Sequence, residues 1–249
     1  MRHPGDNGQE HDLVLRRSED EGATWGDMIV VQEGQVPCPG CPAAISNPNP
    51  VEVVFPDNTS KILLHYDTMN NPSPTTEHHG LDMQKWSTDD GLTWSNGTVL
   101  EFPPNDNKGD LIGPSVGIQN ANGTLFFSNF IGHQHWLYWS TDYGVSWRAA
   151  DPVSDVNECS IALVDPSLPE TQVIGDCRTS ENKRGIVYWS LNEDSSTYVP
   201  SNVSFPDGLV GTLLPAALQH RCCVMGSIQI VIITINCTHV PQTRTAKDR

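Results

Sequence analysis

Three near-copies of one octet constrain the fold more than any other feature: SEDEGATW from Ser18, STDDGLTW from Ser87 and STDYGVSW from Ser140. Each reads Ser-x-Asp-x-Gly-x-Ser/Thr-Trp. The Asp accepts hydrogen bonds from backbone N–H groups two residues on, and the Gly supplies positive φ without steric cost. The Trp, at a fixed offset, is an apolar peg to bury. The segments leading into the copies, DLVLRRS, LDMQKWS and HWLYWS, alternate or are wholly apolar, as strands do. These positions are therefore assigned to turn architecture: Ser18, Asp20, Gly22 and Trp25, then Ser87, Asp89, Gly91 and Trp94, then Ser140, Asp142, Gly144 and Trp147. A single active site needs each acid or base once, whereas an array of β units needs its turn many times.

The octets start at positions 18, 87 and 140, so they lie 69 and 53 residues apart. A worn fourth copy, SLNEDSST, starts at Ser190; Asn192 replaces the Asp, Asp194 replaces the Gly, and the Trp is lost. Periods of about 50 residues with strand-rich content suit propeller blades of four strands. Further strands are expected in PVEVVF, KILLHY, GTLFFSNF, CSIALV, TQVIGDC and RGIVYWS. Helical periodicity is nearly absent, and 19 prolines with 20 glycines punctuate the chain. Trp86, Trp136, Trp139 and Trp189 fall on these strands and read as blade core. The fold class expected is all-β.

A chain of 249 residues can bury one sizeable core. Its formal charge of −16 argues against nucleic acid as a partner, which calls for a basic face. No run of 18 apolar residues exists, so no membrane span is expected, and MRHPGDNGQEHD at the start shows no signal-peptide core. Composition changes late: of 30 acidic residues all but Asp248 lie at or before Asp207, while four of the 14 Lys/Arg fall after position 220. Residues 1–214 read as the blade array and 215–249 as a divergent C-terminal tail. Seven cysteines leave at least one without a partner inside the chain. Cys38 and Cys41 form a CPGC element that is either a tight disulfide or half a zinc site. No second CxxC follows, so no metal site is assigned. His78–His79 and His133–His135 lack a completing carboxylate or cysteine and read as loop histidines. Sequons at Asn58, Asn96, Asn122, Asn202 and Asn236 tilt the expected location toward a secretory, lysosomal or extracellular compartment.

The octets, together with other segments in order, make the chain resemble a sialidase (exo-α-sialidase, or neuraminidase) with Asp-box, or BNR, repeats. RHPGDNGQEHDLVLRRSEDEGATW is similar to the family's run into its first Asp box. NPNPVEVVF with KILLHY is similar to its Asn-Pro-x-Pro strand pair, and GPSVGIQNANGTLFFS to its Gly-Pro-x-x-Gly-Ile-Gln…Asn-Gly hairpin. NECSIALV with GDCRTS is similar to its Asn-Glu-Cys strand and the strand bearing an arginine, and FPDGLVGTLL to a worn form of the next segment. The likeness runs from residue 1 to about 214. It implies a six-bladed β-propeller, here an incomplete array of about four blades, and a retaining glycoside hydrolase that needs no cofactor. The implied partners are sialylated glycans of glycoproteins, oligosaccharides or gangliosides. In that chemistry a Tyr is the nucleophile, a Glu its base and an Asp the acid/base. Three arginines clamp the sugar carboxylate, whose geometry a guanidinium fork matches.

Carried over residue by residue, the resemblance assigns Glu158 to the Glu beside the nucleophile and Arg178 to one clamping arginine. A hairpin over 159–177, centred near Leu168, places Cys159 opposite Cys177 and Glu158 opposite Arg178. Period-two alternation then puts a possible disulfide on one face and the charges on the other. The alternative is a surface ion pair of about 0–1 kcal/mol. Asp6 is assigned to the acid/base, with Asn7 the choice if the loop is one residue off register and Asp12 read as a strand start; a solvated turn aspartate is the alternative. Arg2 matches an arginine at the sugar's hydroxyl end, or else is a frayed terminal residue. Asn47 in NPNP lines the pocket or caps a strand turn.

The family's first clamping arginine belongs to a Tyr/Phe-Arg-Ile-Pro segment upstream of Arg2. Its third arginine and its nucleophilic Tyr are expected beyond GTLL. None of Tyr66, Tyr138, Tyr143, Tyr188 and Tyr198 occupies the nucleophile's place. The chain is therefore expected to be a partial or inactive form, with a non-catalytic sialic-acid-binding or scaffold module as the other reading. A trans-sialidase differs only in rim loops that sequence reads poorly.

Overall fold

Apolar residues recurring every second position decide which face each strand buries. In Val173–Thr179, Val173, Gly175, Cys177 and Thr179 are buried and the residues between them are not. The computed structural model describes residues 11–34, 42–70, 81–100, 111–112, 115–180, 183–194, 196–206, 221–225 and 228–236. These form strands and turns, with no helix among the described residues. The first sheet opens with β1 (His11–Ser18) and β2 (Ile29–Gln32). The second is β3 (Pro42–Val54), β4 (Ser60–Asn70), β5 (Leu81–Ser87) and β6 (Thr98–Val99), in that order. The third contains β7 (Leu111–Ile112), β8 (Ile118–Gln119), β9 (Leu125–Ile131), β10 (Gln134–Ser140), β11 (Arg148–Ala149) and β12 (Val153–Ser154). Here β7 and β8 both pair with β9, while β11 and β12 both pair with β10. The fourth is β13 (Val156–Leu163), β14 (Val173–Thr179), β15 (Arg184–Leu191) and β16 (Tyr198–Pro200).

The segment read as a divergent tail supplies β17 (Arg221–Met225) and β18 (Ile228–Asn236). β18 runs antiparallel to β1 from His11↔Asn236 to Ser18↔Gln229, and the first sheet has the order β17-β18-β1-β2. The hairpin thus takes the two strand positions that precede the Asp-box strand in the second and fourth sheets, although its sequence shares nothing with theirs.

The sheets stack face to face in chain order, as blades do. One apolar cluster joins Leu13, Leu15 and Val31 of blade one to Ile45, Ile62, Leu64 and Tyr66 of blade two. A second joins Val51, Val53 and Leu63 to Leu125, Phe127 and Tyr138 of blade three. A third joins Phe126, Leu137 and Trp139 to Cys159, Val173, Cys177, Val187 and Trp189 of blade four. Trp139 and Trp189 are core residues, as expected, and Trp86 and Trp136 pack partly buried against the second cluster. Buried polar contacts add specificity between blades one and two, where the Lys85 Nζ donates to Val31 O at 2.8 Å and Gln32 Oε1 at 2.9 Å. Burial holds that ammonium below the usual lysine range.

The three octets form one turn. The Gly22, Gly91 and Gly144 amides donate to the Ser18, Ser87 and Ser140 hydroxyls at 2.8–2.9 Å. The Thr24, Thr93 and Ser146 amides donate to the Asp20, Asp89 and Asp142 carboxylates at 2.8–2.9 Å. The hydroxyls of Thr24, Thr93 and Ser146, which also donate to these carboxylates, and then the amides, hold each carboxyl below the usual range, Asp20 at about 2. Left-handed backbone extends one residue further than the glycine, to Glu21, Asp90 and Tyr143, each at φ 57°.

The pegs pack on the preceding blade. Trp147 donates its indole N–H to Gln84 Oε1 at 3.2 Å and meets the His65 ring at 4.9 Å, both in blade two. Trp94 packs on the cluster shared by blades one and two. In the worn fourth copy, Tyr198, one position past the octet, takes the lost Trp's place, with ring centroids 5.1 Å from Phe126 and 5.3 Å from Trp139 of blade three. The expected burial fails only at Trp25, which is 36% exposed. Blade one has no preceding blade among the described residues for its peg to enter.

Candidate functional site

The site is built on an irregularity in β13. Cys159 pairs with Cys177, but Val156 pairs with Thr179, so three steps on β13 face two on β14. The surplus makes a β-bulge, which re-aims side chains beside it. Asn157 pins the bulge on both sides: its side-chain oxygen accepts the Glu158 N–H at 2.8 Å, and its backbone carbonyl accepts from His135 Nδ1 at 2.8 Å. A carbonyl only accepts, so Nδ1 carries the proton. Burial holds the imidazole neutral, with its pKa lowered to about 4. His135, expected in a loop, is instead a buried residue of β10, because the turn at 132–133 places it in the strand facing blade four. His133 lies in that turn and is exposed, and His78–His79 lie outside the described residues.

The bulge brings Glu158 to Arg178: Nη1 donates to Oε2 at 3.1 Å, with side chains 23% and 38% exposed respectively. On the opposite face the Cys159–Cys177 disulfide is formed and buried against blade three. The pairing expected from the hairpin is present, although the charged pair meets across a bulge instead of in simple register. Glu158 is the sole partner of the Arg178 side chain among the described residues. Directly across the next ladder from Arg178 stands Arg184. Its Nε binds Asp176 Oδ1 at 2.7 Å and its Nη2 binds Asp176 O at 2.9 Å, so its charge is already matched.

Blade two repeats the device. Ser46 pairs with Asp67 and Asn49 with His65, so β3 also carries a surplus residue. Asn47 sits there at φ 49°, in the left-handed region that Asn tolerates. Its Nδ2 donates to Asp67 Oδ2 at 2.7 Å. Asp67 lies opposite Asp82, whose Oδ2 accepts from Asn129 Nδ2 at 3.0 Å. Asn47 is thus tied into a buried polar chain, with no hydrogen bond to Glu158 or Arg178 among the described residues. Asp12 is a β1 residue that accepts the Gly34 N–H at 2.6 Å, consistent with a strand start. Asp6 and Arg2 lie outside the described residues, as do Cys38 and Cys41.

No described tyrosine hydroxyl is hydrogen-bonded to Glu158. Tyr66 is buried between blades one and two, and burial pushes its hydroxyl up to about 12. Tyr198 is a peg pushed up to about 12 by burial and by the Glu170 charge. Tyr138 is core, Tyr143 packs on Phe55, and Tyr188 is exposed on blade four. The sequence reading missed both bulges, Asn157 and His135. Asn47-Pro48 inside β3 was a signal for the blade-two bulge, since proline in a sheet favours bulges.

Residues 3–208 match the family model described as a BNR repeat-like domain. The chain belongs to the BNR-repeat sialidase family. A curated relative, a sialidase of Bacteroides fragilis (strain YCH46), is 27% identical over 181 residues, covering 64% of this chain and 33% of that protein. This sialidase-family chain therefore spans about a third of that relative's length. Among solved structures, a Hadza microbial sialidase superposes with a TM-score of 0.61 at 23% identity, over 74% of this chain and 39% of that one. An intramolecular trans-sialidase from Ruminococcus gnavus superposes at 0.60 with 13% identity, over 84% of this chain and 66% of that one. The fold is that of the sialidase propellers, with four blades among the described residues.

Proposed function

We propose that the Glu158–Arg178 pair is part of a sialic-acid site, in a family whose reaction removes terminal α-linked sialic acids from glycoproteins, oligosaccharides or gangliosides. The observation that carries the reading is the 3.1 Å contact at the bulge, with its disulfide brace on the other face. Arg178 would hold the sugar carboxylate and Glu158 would act beside a nucleophile, while Asp6 would pass a proton to and from the leaving oxygen. Arg2 and Asn47 would contact the hydroxyl and acyl ends of the sugar. In the retaining course a tyrosine oxygen, its proton passing to Glu158, bonds the anomeric carbon as the aglycone oxygen leaves with the acid's proton. Water then attacks that carbon, giving its proton to the same acid/base, and the tyrosine oxygen leaves, regaining its proton from the Glu. Four sequons whose asparagines are exposed, and a formed disulfide, support a secretory, lysosomal or extracellular setting.

For this polypeptide the same site supports binding without turnover. A single matched arginine, and no tyrosine hydroxyl on Glu158 among the described residues, favour a sialoside-binding module. Charge-assisted contacts contribute roughly 1.5–3 kcal/mol each, so one clamp gives weak, millimolar-range recognition. A fluorogenic sialoside is expected to give no hydrolysis above a heat-treated control. Turnover abolished by Glu158→Gln would show instead that the chain is itself a working sialidase.

A further inference from the structure

β13 stands at the end of its sheet and, among the described residues, pairs with β14 alone. A strand with one unpaired edge leaves a row of backbone groups along it, two residues apart. Three side chains of blade three, all fully buried, meet that row. His135 Nδ1 donates to Asn157 O at 2.8 Å, Ser128 Oγ donates to Cys159 O at 3.1 Å, and the Ile161 N–H donates to Ser115 Oγ at 3.2 Å. Residues 157, 159 and 161 keep the strand's period of two, so the three side chains act as rungs where a further strand would pair. The rungs carry unequal duties. Cys159 and Ile161 are also held opposite Cys177 and Gly175 on β14, whereas Asn157 and Glu158 are skipped, because the register jumps from Val156 to Cys159. At the bulge, therefore, the His135 rung is the tether. Its other nitrogen, Nε2, is buried with no hydrogen-bond partner among the described residues. An unmatched buried nitrogen costs stability that an apolar side chain would keep, so the Asn157 bond is what a histidine supplies there.

We infer that His135 is a positioning residue of the candidate site, with Ser128 and Ser115 holding the strand behind it. Side chains on a strand alternate between faces, so moving the surplus residue by one position would turn Glu158 away from Arg178. The Nδ1 bond fixes Asn157 O against blade three, and the Asn157 side chain in turn fixes the Glu158 N–H. Glu158 Oε2 is thereby delivered 3.1 Å from Arg178 Nη1. Blade three thus sets the geometry of a charged pair that belongs wholly to blade four. As a device of a sialoside site the relay rests on the reading proposed above; that His135 places the pair rests on the bulge alone.

Nitrogen NMR of the arginine side chains in the full chain tests the placement without a ligand. Binding of Nη1 to Glu158 slows rotation of the Arg178 guanidinium, and Glu158→Gln is expected to speed it roughly tenfold, the loss of one charge-assisted contact. His135→Leu is expected to speed it to a similar extent. His135→Asn, whose side-chain N–H stands near the place of Nδ1, is expected to restore the slow rate. Arg184, tied to Asp176 at 2.7 Å on the same blade, is the internal reference and should keep its rate in every variant. An Arg178 rate unmoved by His135→Leu overturns the inference, and so does a rate that His135→Asn fails to restore. A rise in Arg178 and Arg184 together is general loosening and overturns it equally. Should circular dichroism show His135→Leu unfolded, Ser128→Ala is read instead: a faster Arg178 beside an unmoved Arg184 supports the inference, and an unmoved Arg178 overturns it. Saturation transfer to N-acetylneuraminic acid separates the two claims. Placement by His135 without transfer from the wild type keeps the histidine's role and removes the sialoside. Transfer with Arg178 unmoved by His135→Leu keeps the sialoside and removes the role.

Discussion

Glu158 reaches Arg178 because β13 has one residue more than its partner strand requires, and that surplus is held by a neutral histidine from the preceding blade. His135 and His65 are both fully buried, and burial lowers them to about 4 and about 3. Their folded values lie below the unfolded value of about 6.5, so the unfolded chain takes up protons first as the pH falls. The stability tied to their neutral forms is complete above about 6.5 and is lost as the pH falls from there toward the folded values. Urea unfolding should weaken across that window by up to about 1.4 kcal/mol per pH unit for each histidine. His65→Leu/His135→Leu should flatten the slope, at a cost in stability at neutral pH; a slope equal to the wild type's would contradict the burial assigned to them. The octet carboxylates add their own loss only below about pH 4, because their pKa values are depressed from 3.8. The charged pair was legible because alternation and a short hairpin leave few registers. The bulge that delivers it was not, since an extra residue in a strand carries no signature beyond Asn-Glu at its apex.

At the scale of elements, the Asp-box turn was legible down to its hydrogen bonds, since Ser, Asp and Gly have few other uses at that spacing. Trp25 shows the limit. A peg's sequence says that it is apolar, and only the stacking says whether anything stands above it. Hairpin 221–236 was illegible for the opposite reason: its sequence departs from the blades, yet β1 has an edge that any strand with free amides can extend. The disulfide belongs to this scale because it closes the β13–β14 hairpin across 18 residues. A loop of that length is worth about 3 kcal/mol through the unfolded state. Cys159→Ser/Cys177→Ser, or added reductant, should therefore lower the thermal midpoint by several degrees, as about 3 kcal/mol does in a chain this long. A midpoint unmoved by reductant would place the hairpin's stability wholly in the blade-three contact.

For the whole molecule, the four blades stacked among the described residues share apolar clusters at each interface, which builds a propeller-like core. The blade turns recur, whereas Glu158 and Asn47 occur once each at the bulges of β13 and β3, with Arg178 meeting Glu158 from β14. In the proposed reading, recognition of a sialic-acid carboxylate by Arg178 joins fold to function. Saturation-transfer NMR with N-acetylneuraminic acid, its methyl ester and the Arg178→Ala variant measures it directly. The account predicts transfer from the wild type to the free acid that falls at least tenfold both with the ester and with Arg178→Ala, the loss of one charge-assisted contact. Equal transfer to acid and ester, or binding untouched by Arg178→Ala, would contradict it.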